Sequence, residues 1–166
     1  MDVIVKHGLP PVARPDARLF VLGSLPGDAS LAAKRYYAHP RNGFWRLIGS
    51  VVGEDLHSLG YAERLERLTA NRIGLWDVVA HATRRGSLDQ AIRDAGHNPL
   101  ADYFAGFPHL EAVAFNGAAA AKAGRQLLGG VARLSLIDLP SSSPANTRPF
   151  AEKAQAWGQL ARYCEC

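Results

Sequence analysis

Between Lys34 and Trp45 the chain reads KRYYAHPRNGFW, a word that crowds together side chains able to do chemistry. Lys34, Arg35 and Arg41 are cations. Tyr36, Tyr37, Phe44 and Trp45 are rings, and His39 and Asn42 are polar. A loop of this make-up could hold a flat polar ligand attached to something anionic. A long surface loop whose aromatics are partial core has the same composition, but long loops in compact domains commonly carry a function. Two further places carry chemical potential. Asp77 is the one acidic residue inside the apolar run IGLWDVV. A carboxylate there must find hydrogen-bond partners or shift its pKa. It serves either as a structural acceptor for backbone N–H groups or as an acceptor for a ligand N–H. Ser141, Ser142 and Ser143 lie between Pro140 and Pro144. Their hydroxyls and free amides suit contact with a phosphate backbone, and suit a rigid turn equally well.

Other chemistries are excluded by pattern. The six histidines, His7, His39, His57, His81, His97 and His109, show neither H-x-x-x-H nor H-E-x-x-H spacing, so no metal site is expected. There is no G-x-G-x-x-G word and no Walker A word, which argues against a nucleotide cofactor; no cofactor of any kind is expected. No G-x-S-x-G elbow is present. Ser24 or a serine of the 141–143 run could be a nucleophile, but no base is visibly paired with either, so a hydrogen-bonding loop serine is favoured.

The elements that must position these residues follow from periodicity. Residues 1–17, with Pro10, Pro11 and Pro15, form an irregular lead-in, with Val3–Val5 a short edge strand. Arg18–Leu22 is a strand that opens into the turn Gly23-Ser24-Leu25-Pro26-Gly27. Residues 44–52 have helical apolar spacing and end at Gly53. Residues 61–71 form an amphipathic helix with Leu65 and Leu68 on one face. Ile73–Val79 reads as a buried parallel strand. Ser87 caps a short helix running to Ala95, and residues 99–107 form another behind Pro99. Glu111–Phe115 and Arg133–Leu139 are the third and fourth strands, with an Ala-rich helix, 118–128, between them. Residues 149–163 close the chain as a helix.

Strands alternating with helices predict an α/β fold, a three-layer α/β/α sandwich around a four-stranded parallel sheet. Ligands of such sheets bind outside the carboxyl ends of the strands. The turn after Leu22, the turn after Asp77, Asn116-Gly117 and Pro140–Asn146 then gather on one edge.

The chain has 166 residues, enough for one domain with a substantial core. Hydrophobic residues make up 48% and charged residues 20%, an ordinary globular balance. The net charge of +4 permits a nucleic-acid partner without demanding one. Cys164 and Cys166 form a C-x-C pair too small to staple a fold or hold a metal alone. A reduced, cytoplasmic protein is expected, with no signal-peptide core and no membrane-spanning run.

Taken together, the loop words resemble those of the uracil-DNA glycosylase superfamily. Gly23-Ser24-Leu25-Pro26-Gly27 is similar to its first motif and Leu139-Pro140-Ser141-Ser142-Ser143-Pro144 to its second. The hypoxanthine-DNA glycosylase branch is the nearest resemblance. It shares Y-Y-x-x-P-R-N-x-F-W, here Tyr36–Trp45, G-L-W-D-V, here Gly74–Val78, and P-S-[S/T]-S-P-A-N, here Pro140–Asn146. The superfamily's usual catalytic Asp or Asn of motif one is replaced by Leu25, and the usual His or Asn of motif two by Leu139.

The resemblance implies a monofunctional glycosylase that hydrolyses the N-glycosidic bond of a flipped-out deaminated base in damaged DNA. It implies hypoxanthine first, with uracil as the alternative and a damaged-DNA-binding module without catalysis as a rival. It assigns Asn42 the catalytic role. It implies base contacts from Ser24, Leu25, Phe44, Trp45, Asp77 and Asn116. DNA contacts fall to Arg41, Ser141, Ser142, Ser143, Asn146 and Arg148, with Lys34 and Arg35 as further candidates. A monomer without metal, nucleoid-associated in a prokaryote, completes the expectation. Outside the resemblance, an unrelated α/β small-molecule hydrolase remains the plain alternative.

Overall fold

The computed structural model describes residues 5–164. Its organising element is the strand β2 (Leu19–Gly23), whose five residues are all buried. β2 lies between β3 (Ile73–Asp77) and β6 (Ala112–Asn116), and β6 also pairs with β7 (Ser135–Leu139). All three pairings are parallel, in the order β3-β2-β6-β7. Side chains alternate across a strand. Leu19 and Val21 therefore face one layer, while Phe20 and Leu22 face the other.

The first layer packs Leu19, Val21, Ile73, Leu75, Ala112 and Ala114 against α2 (Phe44–Val52), α3 (Tyr61–Ala70) and α6 (Phe150–Trp157). The second packs Phe20, Leu22, Trp76, Val113 and Phe115 against α4 (Leu100–Phe104) and α5 (Ala118–Leu128). Trp157, Phe20, Phe44, Phe104 and Phe115 are fully enclosed. Each such side chain contributes about 1.5–3 kcal/mol through removal from water. The expected sandwich and its four parallel strands are present. A short helix, α1 (Asp28–Ala33), follows the turn after β2 and has no counterpart in the sequence reading.

The structure corrects that reading in the segment between β3 and α4. The run at 73–79 splits. β3 stops at Asp77, and β4 (Val79–Thr83) enters a second sheet. That sheet is antiparallel, in the order β1-β4-β5, with β1 (Val5–His7) and β5 (Arg93–His97) on its edges. The helix expected from Ser87 to Ala95 is instead a 3₁₀ turn, Asp89–Ala91, followed by β5. Positive φ at Gly86 and Asp94 breaks any helix there. At Gly96 a Cβ would run into the ring of His81 on the paired strand, so the glycine lets that ring lie over β5.

The lead-in is more ordered than expected. Val5 begins a strand that continues to His7, while Val3 and Ile4 lie outside the described residues. Val12 exchanges two backbone hydrogen bonds with Leu75, at 2.9 and 2.8 Å, and so covers part of the β3 edge. The closing helix ends at Trp157 and tightens into a 3₁₀ turn, Gly158–Tyr163. No helix among the described residues is long and apolar enough to cross a membrane.

Candidate active site

Three loops at the carboxyl edge of the parallel sheet are tied down by side chains from behind. The first is Gly23–Gly27, which leaves β2. Val78 and Val79 donate their amides to the carbonyls of Gly23 and Ser24, at 2.8 and 2.9 Å. Arg84, buried at the end of β4, donates to the carbonyls of Pro26 (2.6 Å), Gly86 (2.8 Å) and Leu25 (3.2 Å). Two of these three carbonyls, those of Leu25 and Pro26, belong to the turn, so one guanidinium ties it to the loop after β4. The second sheet is thus the brace of the first motif.

The second loop follows β7. Asn116, at the end of β6, donates from Nδ2 to Ser142 Oγ and accepts the Ser142 amide on Oδ1, both at 2.9 Å. From α6, Lys153 Nζ donates to the carbonyls of Asn146 (2.8 Å) and Ser143 (3.2 Å), and Trp157 Nε1 to that of Pro140 (2.9 Å). Inside the loop, Ser141 and Ser143 hydroxyls accept the amides of Ser143 and Ala145, both at 3.1 Å.

The third is the loop from Lys34 to Gly43. Gly43 donates its amide to the Ser142 carbonyl at 2.9 Å, joining this loop to the second. Asn42 Oδ1 accepts the amide of Phe44 at 2.9 Å, at the start of α2. Tyr36 is held by its hydroxyl on the Pro10 carbonyl (2.8 Å) and by Trp45 Nε1 on its own carbonyl (3.2 Å). Tyr37 takes a left-handed backbone, φ 55°, and its ring stacks on Phe44 at 3.9 Å. A left-handed tyrosine is unusual and persists only where its surroundings hold it.

These loops enclose a cavity of about 1040 Å³. On its floor stand two buried polar atoms with no hydrogen-bond partner among the described residues, Asp77 Oδ2 and Tyr37 Oη. Buried polar atoms are nearly always paired, so such orphans in a cavity wall are poised for a ligand. Gly23 lies between them. A Cβ there would come within 2.7 Å of Asp77 Oδ1 and 3.3 Å of Tyr37 Oη. Burial, and after it the charge of Asp89, pushes the Asp77 carboxyl up to about 7 against the pull of Arg84. Burial, then the Asp77 charge, pushes the Tyr37 hydroxyl well above its ordinary value.

Ser24, Leu25, Arg41, Asn42, Asp77, Asn116, Ser141, Ser142, Ser143 and Asn146 all line this cavity. Phe44 and Trp45 do not. Both are enclosed in the core, Phe44 behind Tyr37 and Trp45 edge-on to Phe44. The rings on the lining are those of Tyr36, Tyr37 and His39, and Tyr37 is the one stacked on Phe44. Arg148 lies outside the lining, exposed on the same loop. Lys34 is exposed, and Arg35 is turned over the Tyr61 ring at 5.5 Å. Both Asn116 amide atoms clamp Ser142, which leaves one Nδ2 hydrogen uncommitted.

The sequence reading missed Ser87, Leu88, Asp89 and Gln90, which form the opposite wall. Ser87 Oγ accepts the Asp28 amide at 2.9 Å, and Ser24 Oγ donates to Asp89 Oδ1 in a very short bond. The signal available was the run RRGSLDQ, dense in turn and polar residues and poor in helical apolar spacing. Among the described residues no group of three His, Cys, Asp or Glu side chains could hold a metal.

A parallel sheet of this order, with unpaired buried polar atoms under the loops at its carboxyl edge, defines an α/β/α protein with a ligand-sized site at that edge. The family model of the uracil DNA glycosylase superfamily matches residues 10–161, and the chain belongs to that superfamily. It is 42% identical over 156 residues to the hypoxanthine DNA glycosylase of Methanosarcina barkeri, covering 93% of this chain and 96% of that one. It is 38% identical over 162 residues to the hypoxanthine DNA glycosylase of Methanosarcina acetivorans, covering 96% and 100%. A solution NMR structure of a candidate uracil DNA glycosylase from Methanosarcina acetivorans superposes with a TM-score of 0.88. It is 37% identical and covers 98% of this chain and all of the other.

Proposed function

We propose that the protein is a monofunctional DNA glycosylase that excises hypoxanthine from DNA, working as a single-domain monomer in the cytoplasm on nucleoid DNA. The observation that carries this reading is the pair of orphaned polar atoms, Asp77 Oδ2 and Tyr37 Oη, at the floor of a cavity built by DNA-glycosylase motifs. A base inside a duplex cannot reach such a floor, so the nucleotide must be extruded. Hypoxanthine presents N1–H beside the O6 acceptor. The Asp77 carboxylate accepts the N–H and Tyr37 Oη donates to the oxygen. Tyr37, supported from behind by Phe44, offers its ring to the flat base.

Hydrolysis breaks the bond between C1′ and the base and joins a water oxygen to C1′. The sugar passes through an oxocarbenium-like state, so positioning and electrostatics dominate. Asn42 is the residue we assign to the water. Its Oδ1 is fixed by the Phe44 amide, and its Nδ2 makes no hydrogen bond to the described residues. Ser141, Ser143, Asn146, Arg41 and Arg148 hold the flanking phosphates in this reading, while Ser142, buried and bonded to Asn116 through both its amide and its hydroxyl, anchors their loop.

The test is an oligonucleotide panel carrying deoxyinosine, deoxyuridine or deoxyxanthosine, each treated with protein and then alkali. Strand cleavage at deoxyinosine is expected. Cleavage at deoxyuridine alone would move the assignment to uracil, and no cleavage at any of the three would overturn it.

A further inference from the structure

The floor of the cavity accounts for base recognition, but not for the charge and the proton of the reaction. An amide such as that of Asn42 is too weak a base to deprotonate water, and Leu25, on the turn nearest the sheet, is apolar. The cavity lining holds two carboxylates, Asp77 and Asp89. Asp77 lies at the floor, 3% exposed and committed to the base in the reading above. Asp89 stands on the wall, open to the cavity.

Its placement is built. The 3₁₀ turn that bears it is closed by the Ile92 amide on the Asp89 carbonyl (3.1 Å) and gripped by Arg93 on the carbonyls of Gln90 and Ile92, both at 2.8 Å. Ser87 Oγ pins the turn to the start of α1, and Ser24, beside Leu25, donates to Asp89 Oδ1. The bond to Ser24 leaves Oδ2 for a ligand. Desolvation raises the Asp89 carboxyl, while the Ser24 hydrogen bond and the Arg84 charge favour its ionised form.

We propose that Asp89 is a second catalytic residue, stabilising the positive charge that grows at C1′ and accepting the proton of the attacking water. The inference rests on the glycosylase reading above. Hydrolysis through an oxocarbenium-like sugar is served by a carboxylate in this position, as in glycoside hydrolysis. The electron pair of the C1′–N9 bond leaves with the base, which takes a proton from solvent. The water oxygen bonds to C1′, its proton passes to Asp89, and Asp89 returns that proton to solvent. Ser24 acts through Asp89 as a positioning residue.

The experiment compares wild-type protein with Asp89→Asn, which can still accept from Ser24, and with Ser24→Ala. Single-turnover excision of deoxyinosine should fall by roughly 10²–10³-fold in Asp89→Asn and by about tenfold in Ser24→Ala. Each protein is also titrated with two oligonucleotides, one carrying a neutral tetrahydrofuran abasic analogue and one a cationic pyrrolidine analogue. Wild type should bind the cationic analogue more tightly, and Asp89→Asn should lose that preference while keeping its affinity for the neutral one. An Asp89→Asn rate within threefold of wild type overturns the proposal. So does an equal loss of affinity for both analogues, which is what a purely structural role predicts. Wild-type protein inert on deoxyinosine, yet still preferring the cationic analogue through Asp89, would overturn the glycosylase reading and keep the anion.

Discussion

Asp77 holds Oδ2 buried without a partner, and the groups that face it are Asp89, Arg84, Tyr36 and Tyr37. Its folded pKa, about 7, lies above the unfolded carboxylate value near 3.9. The folded state therefore holds the proton more tightly. The contribution of Asp77 to stability is most favourable below pH 4, falls as pH rises toward 7, and levels off above it. The cost of the buried charge has an upper bound of roughly 4 kcal/mol above pH 7. Asp77→Asn should remove it, so its stability gain over wild type in urea unfolding should be larger at pH 8 than at pH 5 by roughly 2–3 kcal/mol. Activity should run the opposite way. Excision of deoxyinosine by wild type should rise through pH 7 as the acceptor for N1–H forms, and the Asp77→Asn profile should lack that rise. A stability difference between the two proteins that does not change with pH would contradict the burial argument. Asp77 was legible in the sequence because an acid in an apolar run is conspicuous. Asp89 was not, since it sits among polar residues and its meaning comes from Ser24, sixty-five positions away.

At the scale of elements, α2 and the loop before it form one device. Asn42 precedes the helix N-cap, Gly43, and its Oδ1 takes the first helical amide. Asn42→Ala removes that acceptor as well as the water-holding amide. It should lower stability by about 1 kcal/mol and slow excision by roughly 10²-fold or more. Asn42→Asp keeps the acceptor at the positive end of a helix, so thermal unfolding should stay near wild type. Its excision rate should still fall, because the Nδ2 donor is gone. A full rate in Asn42→Asp would assign Asn42 to the cap alone. Periodicity identified α2 and α3 because each buries a stripe at helical spacing, and α5 was legible as an Ala-rich run between glycines. It failed between Ser87 and His97, where pairing with β4 decides the structure and local propensity does not. The brace supplied by Arg84 was hidden for the same reason, since a lone arginine in sequence says nothing about three carbonyls behind a turn.

For the whole molecule, the two sheets divide the labour. The parallel sheet carries the motif loops on one edge, and the antiparallel sheet holds the first of them in place. The chain bears a net charge of +4, and Arg41 and Arg148 are exposed on the two loops that Gly43 and Ser142 join. Under the function proposed above, both cations on this rim follow the DNA backbone while the cavity takes the base. Phosphate contacts of this kind release counterions, so affinity should fall steeply with salt, by a slope of about 0.9 per phosphate in log–log form. Arg41→Ala and Arg148→Ala should each shrink that slope by about one, and weaken binding to intact and deoxyinosine-bearing duplexes alike. Single-turnover excision at saturating protein should change little in Arg148→Ala, because Arg148 stands outside the cavity lining. Fluorescence anisotropy over a salt series checks the slope. A slope unchanged in both variants would remove this rim from the DNA interface. Loss confined to deoxyinosine duplexes would instead place the arginines on the base, where Arg148 has no access. Phosphate grip and base recognition thus separate experimentally along the same line that separates the exposed rim from the buried floor.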